Sequence, residues 1–440
     1  MTYEIQTTVL VAGGDALGRL PDGRAVFVAG AAPGETVQVR LVKEDARWAR
    51  GELLSVLEPS VDRVVPSQSA SHLGGATWAH VAYPAQLAAK QAIVATALER
   101  IGKFVSPAVA PIVASPERWG YRNRIELTFG EQGGELVLGT LAPGSQTDVQ
   151  PALGSALFGD EVDAIIAKVL AWARGTGRRA WRPRALAGEL RSIIVRRGIQ
   201  SRDRLVHLVT TSAATPDPSL AEALAGLGLT GIVWSANDAK NAVSEIQTSA
   251  VLFGRPTITE QLLDFPLVYH ATSFFQANVH AAELLLATLR DAVQASAELV
   301  DLYAGVGTFG LGVAPDGVPL TLVELHPQAV RDAHDNTGRL GRLRDVVIAE
   351  AGAEAYLRRY SVPKRATVIV DPPRTGLERA VVRGLLRDRP SRLVYISCDP
   401  ATLARDLRLL GEAYEPTLIQ PFDFFPQTPH VETLVVLSLQ

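Results

Sequence analysis

Leu299-Val-Asp301-Leu-Tyr303-Ala-Gly305-Val-Gly307-Thr-Phe-Gly310 decides how the rest of the chain reads. A short apolar strand runs into a glycine-punctuated turn, and the turn opens a helix. The glycines let the backbone approach a nucleotide closely. The spacing formally satisfies G-x-G-x-x-G, which alone suits a dinucleotide or S-adenosylmethionine equally. Working outward, the strand-like segments LVDLYAG, PLTLVEL, ATVIVDPP, RLVYISC and ETLVVLSL recur through residues 266–440. Helical stretches at 281–296, 327–340 and 377–387 lie between or before them. Alternating strand and helix predicts a parallel, doubly wound α/β sheet, which binds ligands at the carboxyl ends of its strands.

Every residue of candidate chemistry falls at such an end. Glu324 closes the strand after the glycine loop, 19 residues beyond Gly305, where a carboxylate can accept ribose hydroxyls. A plain helix-start acid is the competing reading. Asp371-Pro-Pro-Arg374-Thr-Gly376 follows Val-Ile-Val. Its two prolines stiffen a loop that presents a polar clamp, where the bland alternative is a tight turn. Cys398, the only cysteine, sits in Ser397-Cys398-Asp399-Pro400 at the next strand end. Helix N-terminal amides there are expected to lower the thiol pKa and favour a nucleophile over an inert buried thiol. Phe422-Asp-Phe-Phe-Pro-Gln-Thr-Pro-His430-Val-Glu432 then gathers rings for stacking a base and two groups able to move a proton.

Upstream, residues 59–265 read as a mixed α+β region, with a helix over 83–101 placed to pack on the C-terminal domain. Strand-like stretches follow at 124–129, 136–138, 192–195 and 205–210. Ten arginines lie between Arg174 and Arg204, against Glu189 and Asp203 alone, with Trp172 and Trp181 beside them. Arginines interleaved with rings suit single-stranded nucleic acid, and a solvated basic face is the equal alternative. Residues 1–58 alternate apolar and polar positions and are cut by Gly13-Gly14, Pro21-Asp-Gly23 and Pro33-Gly-Glu35, which predicts a small β-barrel. The barrel carries six basic residues from Arg19 to Arg50 but also eight acids.

The whole chain has 440 residues, 47% hydrophobic and 20% charged, which argues against disorder as its dominant state. A net charge of −3 argues against a uniformly basic nucleic-acid binder without excluding a local basic face. Six of its 43 basic residues are lysine, so arginine supplies nearly all the positive charge. No apolar run reaches the ~18 residues of a membrane span, and the start shows no signal-peptide pattern. One cysteine rules out a cluster or zinc site built from several thiolates. These features predict a soluble, cytoplasmic monomer with no metal and no membrane association.

Taken together, DPPRTG, LVYISCDPAT and FDFFPQTPHVE resemble the signatures of the S-adenosylmethionine-dependent RNA uracil-5-methyltransferase family. Phe275-Gln276-Ala-Asn278 resembles the motif that precedes the family's cofactor loop, and residues 1–58 resemble its RNA-binding TRAM barrel. The resemblance implies three units: a TRAM-like barrel (1–58), a central RNA-recognition domain (59–265) and a methyltransferase domain (266–440). It implies cofactor contacts from Gln276, Tyr303, Gly305, Gly307, Glu324 and Asp371, a nucleophile in Cys398 and a general base in Glu432. The implied substrate is a uridine in 23S ribosomal RNA, with the transfer-RNA T-loop as the alternative. One departure stands out. Many ribosomal-RNA members hold an iron–sulfur cluster through cysteines after the barrel, where this chain reads SQSASHLGGA over 67–76. Two other classes stay open: a nicotinamide-dependent oxidoreductase, which leaves Cys398 and DPPR without a role, and a non-catalytic RNA-binding or ribosome-assembly protein.

Overall fold

The computed structural model of the protein describes residues 2–66, 75–142, 145, 147–152, 156–159, 161–239 and 248–440. Most of the cysteine-free segment 67–76 lies outside them. The alternation in the first 58 residues closes, as expected, into a five-stranded barrel (Thr2–Leu10, Ala16–Arg19, Ala25–Val28, Thr36–Glu44 and Trp48–Glu58). Its turns use left-handed glycines at 13, 14, 23 and 34, where a side chain would be strained. The inward positions, Ile5, Val26, Val28, Val37 and Val39, form one apolar core.

That core does not end with the barrel. Trp78, Val81 and Ile93 belong to it. Ile93 lies on the helix Tyr83–Ala97, which continues as a wider turn over Leu98–Gly102. The next residue, Val94, packs with Leu98 into the core of the C-terminal sheet. The helix is therefore a wedge with one side on the barrel and one on the C-terminal domain.

Among the described residues the middle region forms a seven-stranded sheet covered by the helix Glu161–Gly175. Much of the arginine-rich run proves structural. Trp172 is buried, Arg178 stacks over Trp172 and Trp234 and pairs with Glu189 and Asp217, and Arg196 is buried beneath the Tyr269 ring. Arg179, Arg182, Arg184, Arg202 and Arg204 are the members left exposed to solvent without an ion pair among the described residues.

The C-terminal sheet runs in the order Val346–Glu350, Leu320–Glu324, Leu299–Asp301, Thr367–Val370, Arg392–Ser397, Glu432–Leu439, Tyr414–Phe422. It is parallel except where Glu432–Leu439 inserts antiparallel between its neighbours. Strand order reverses between Leu299–Asp301 and Thr367–Val370, and a crevice opens at such a switch point. The hairpin Thr257–Leu262/Phe265–His270 packs into this domain's core through Ile258, Leu262, Phe265 and Leu267. No helix among the described residues is long and apolar enough to cross a membrane.

Candidate active site

The glycine loop is fixed by two acids at strand ends. Asp301 is fully buried; its carboxylate accepts the Gly310 N–H at 2.9 Å and lies 3.4 Å from the Tyr303 nitrogen. Burial outweighs those donors and pushes its carboxyl up to about 7. Glu324 accepts the Gly305 N–H at 2.8 Å and the His326 N–H at 2.7 Å, one on each oxygen. Each oxygen keeps a further lone pair. Gly305 and Gly307 are left-handed, and a Cβ on Gly307 would come within 2.3 Å of Leu311. At Gly305 a Cβ would meet nothing within 4 Å, so the loop faces open space there.

Across the switch point, Asp371 follows Thr367–Val370. The Gln276 amide nitrogen lies 3.5 Å from its carboxylate, which brings the motif before the glycine loop to the DPPR loop. Burial and the charge of Asp301 raise the Asp371 carboxyl well above the usual range. Helix Pro400–Leu410 holds the DPPR loop: Thr402 donates to the Arg374 carbonyl at 3.1 Å and Arg405 to that of Thr375 at 2.9 Å. Tyr303 is half-buried beside the glycine loop, where burial raises its phenol.

Cys398 and Glu432 meet by register. Ser397 pairs with Thr433 across antiparallel strands, so the residue after one and the residue before the other are neighbours. Cys398 is half-buried and Glu432 is 4% exposed. The expectation of a lowered thiol pKa is overturned. Burial first, then the charges of Glu432 and Asp371, push the Cys398 thiol up to about 11, against the opposing pull of Arg374. Two nearby acids and desolvation outweigh the start of a helix whose cap, Asp399, is itself an acid. Glu432 is raised in turn by burial and Asp371. His430, half-buried and edge-on to Phe425, is lowered to about 4 by burial, so its imidazole is neutral at neutral pH.

The loop that delivers Glu432 is gripped from far away in sequence. Asp423, fully buried, accepts Tyr83 Oη at 2.9 Å and pairs with the fully buried ammonium of Lys90. Lys90 also donates to the Phe425 carbonyl at 2.9 Å. Gln86 donates to Gln427 Oε1 at 2.8 Å and accepts the Gln427 N–H at 2.9 Å. Tyr121 donates to the Pro426 carbonyl at 3.1 Å. Gln427 has φ of 68°, a left-handed conformation that a non-glycine residue keeps only when its surroundings fix it. Trp78 spans the gap to the barrel: its N–H donates to the Gln427 carbonyl and its indole N–H to that of Gly14, both at 2.8 Å. Asn123 likewise grips the other motif, donating its side-chain amide to the Gln276 carbonyl at 2.8 Å. None of these clamps was foreseen. The one signal was a polar stripe, Tyr83, Gln86 and Lys90, on one face of an alanine-rich helix, a pattern that ordinarily marks the solvent side.

The family model described as tRNA (Uracil-5-)-methyltransferase matches residues 251–440, and the TRAM domain model matches residues 2–54. An uncharacterized RNA methyltransferase of Thermosynechococcus vestitus is 36% identical, with 99% of this chain and 98% of the relative covered. A second, from Halalkalibacterium halodurans, is 34% identical, with 95% and 93% covered. Among solved structures, the Pyrococcus abyssi tRNA (uracil-54, C5)-methyltransferase in complex with S-adenosyl-L-homocysteine superposes with a TM-score of 0.78 at 28% identity. That match covers 98% of this chain and all of the other. The chain belongs to the RNA uracil-5-methyltransferase family and carries the TRAM domain at its N-terminus.

Proposed function

We propose that this protein transfers a methyl group from S-adenosylmethionine to C5 of a uridine in RNA, through a covalent bond between Cys398 and C6. The observation that carries the reading is the strand register that puts the only cysteine beside a buried carboxyl at the switch-point crevice. The donor supplies a methyl group on a cationic sulfonium. The residues present suit it: a glycine loop open at Gly305, the free lone pairs of Glu324, and Gln276, Tyr303 and Asp371 around the crevice.

Uracil C5 is a poor nucleophile. Addition of the Cys398 thiolate to C6 makes an enolate whose charge spreads over C5 and O4, and C5 then takes the methyl group. Glu432 removes the C5 proton, the C5–C6 double bond re-forms, and the thiolate leaves. Burial and the charge of Asp371 raise the Glu432 carboxyl above its ordinary value, which makes its carboxylate a stronger base. The target base reaches the crevice only when splayed out of its stack.

The TRAM barrel favours 23S ribosomal RNA as substrate. Transfer RNA is the second reading, favoured because the P. abyssi enzyme named for tRNA uracil-54 superposes over 98% of this chain. A purely RNA-binding role leaves the pairing of Cys398 with Glu432 without purpose. Incubation of the full-length protein with labelled methyl donor and either RNA tests these readings. Cys398→Ala abolishes turnover. Glu432→Gln still adds and methylates but cannot eliminate, so a covalent protein–RNA band accumulates on a denaturing gel. Methylation by Cys398→Ala overturns covalent catalysis.

A further inference from the structure

Two hollows outside the crevice share one lining side chain. The larger, about 590 Å³, is lined by Trp119, Tyr121, Arg197, Arg202, Arg204 and His280, among others. The smaller, about 230 Å³, is lined by Val64, Arg118, Gln427 and, again, Trp119. Trp119 lines both and is half-buried, packed against the small apolar cluster of Ala76, Ala79, Tyr121 and Leu157. Both hollows border the catalytic loops. Tyr121 supports Pro426, Gln427 belongs to the loop that delivers Glu432, and His280 lies four residues beyond Gln276.

The charges of the larger hollow sort into used and unused. Glu161 is taken by Arg197 at 2.7 Å, and Asp203 by Arg255 at 2.6 Å and the Thr259 N–H at 2.8 Å. Arg202 and Arg204 are exposed, and neither side chain has a partner among the described residues. Glu117, also exposed, is the one lining acid without an ion pair there, so positive charge prevails. In the smaller hollow the Arg118 guanidinium lies 4.6 Å from the Tyr83 ring centroid. A half-buried ring shared by two hollows of nucleotide size, each also lined by arginine, matches what unstacked nucleotides require: a stacking platform and phosphate partners.

We propose that Trp119, with Arg202 and Arg204, forms a docking track for single-stranded nucleotides flanking the target uridine. The track rests on the reading of the protein as an RNA methyltransferase, and it places part of RNA recognition on the middle region and not on the barrel alone. Nucleotides held there keep the strand splayed beside the crevice.

The test uses full-length protein and a fluorescein-labelled single-stranded oligouridylate, read by fluorescence anisotropy at several salt concentrations. Trp119→Ala weakens binding about tenfold, while Trp119→Tyr, which keeps a stacking ring, stays close to wild type. The double variant R202A/R204A flattens the slope of log affinity against log salt by about 1.4, the value for two phosphate contacts on a single strand. S-adenosylhomocysteine affinity, measured by calorimetry, is unchanged in all three. Wild-type affinity and salt slope in both Trp119→Ala and R202A/R204A overturn the track. Methyl transfer by the wild type is assayed alongside. Methylation with unaffected binding in the variants removes the track alone. Loss of binding in the variants, with no methylation by the wild type, leaves the track standing and removes the enzymatic reading.

Discussion

The two rims of the crevice are built in opposite ways. The glycine-loop rim is local: Asp301 reaches Gly310 nine residues away, and Glu324 reaches Gly305 nineteen away. The rim that delivers Glu432 is held by partners 305 to 341 residues distant, namely Tyr121, Lys90, Tyr83 and Gln86. The first rim forms wherever the sheet forms. The second exists only once both ends of the chain have come together, and Trp78 ties it onward to the barrel. The glycine-loop geometry thus belongs to one domain, while Gln276, held by Asn123, and the loop that delivers Glu432 are completed by the region in front of it. The barrel is correspondingly no detachable appendage, because Trp78, Val81 and Ile93 share its core.

The sharpest way to break this comparison is Lys90→Met. It strands Asp423 as an uncompensated buried charge, at a cost of about 3–5 kcal/mol. The expected outcome is a large drop in the denaturation midpoint and loss of methylation, with S-adenosylhomocysteine affinity kept by the folded fraction. The double variant K90M/D423L recovers much of the stability. A loss below about 1 kcal/mol means the distant clamp does not hold that rim.

The same rim carries the titrating groups. With the thiol held up to about 11 by burial and the neighbouring acids, the thiolate fraction grows with pH throughout the neutral range. Adduct formation with 5-fluorouridine RNA therefore accelerates about tenfold per pH unit between about pH 7 and 9. A rate that stays level over that span shows that a neighbouring group takes the thiol proton as the substrate binds.

On the local rim, Glu324→Ala weakens S-adenosylhomocysteine by about 1.5–3 kcal/mol, the range for a hydrogen bond to a charged group. Oligouridylate affinity, a property of the other regions, does not move. Unchanged calorimetric affinity removes Glu324 from the donor site. The smallest effect belongs to Trp78→Phe, which keeps the ring but deletes the indole donor to Gly14. Thermal unfolding reports a loss of about 0.5–1.5 kcal/mol. A value indistinguishable from zero means that the indole bond to Gly14 does not help to join the barrel to the catalytic loop.

Local signals carried the sequence a long way. Period-two alternation between turn glycines specified the barrel, because a strand can bury only every second side chain. Apolar strands alternating with helices specified the doubly wound sheet, and the switch-point rule then placed Gly305, Glu324, Asp371 and Cys398 on one edge. What the sequence could not settle was decided by burial and by partners distant along the chain. Lys90 in an alanine-rich helix looks solvent-facing until Asp423 is folded against it, and the arginines from 178 to 197 look like a nucleic-acid face until Glu189, Asp217 and Glu161 claim two of them. Cys398 looked activated by its helix, and only the antiparallel insertion of Glu432–Leu439 brought to it the carboxyl that, with burial, reverses the shift. Propensity and turn chemistry act over a few residues and can be read along the chain. Desolvation and Coulomb energy depend on distance in space, and only the tertiary structure sets that distance.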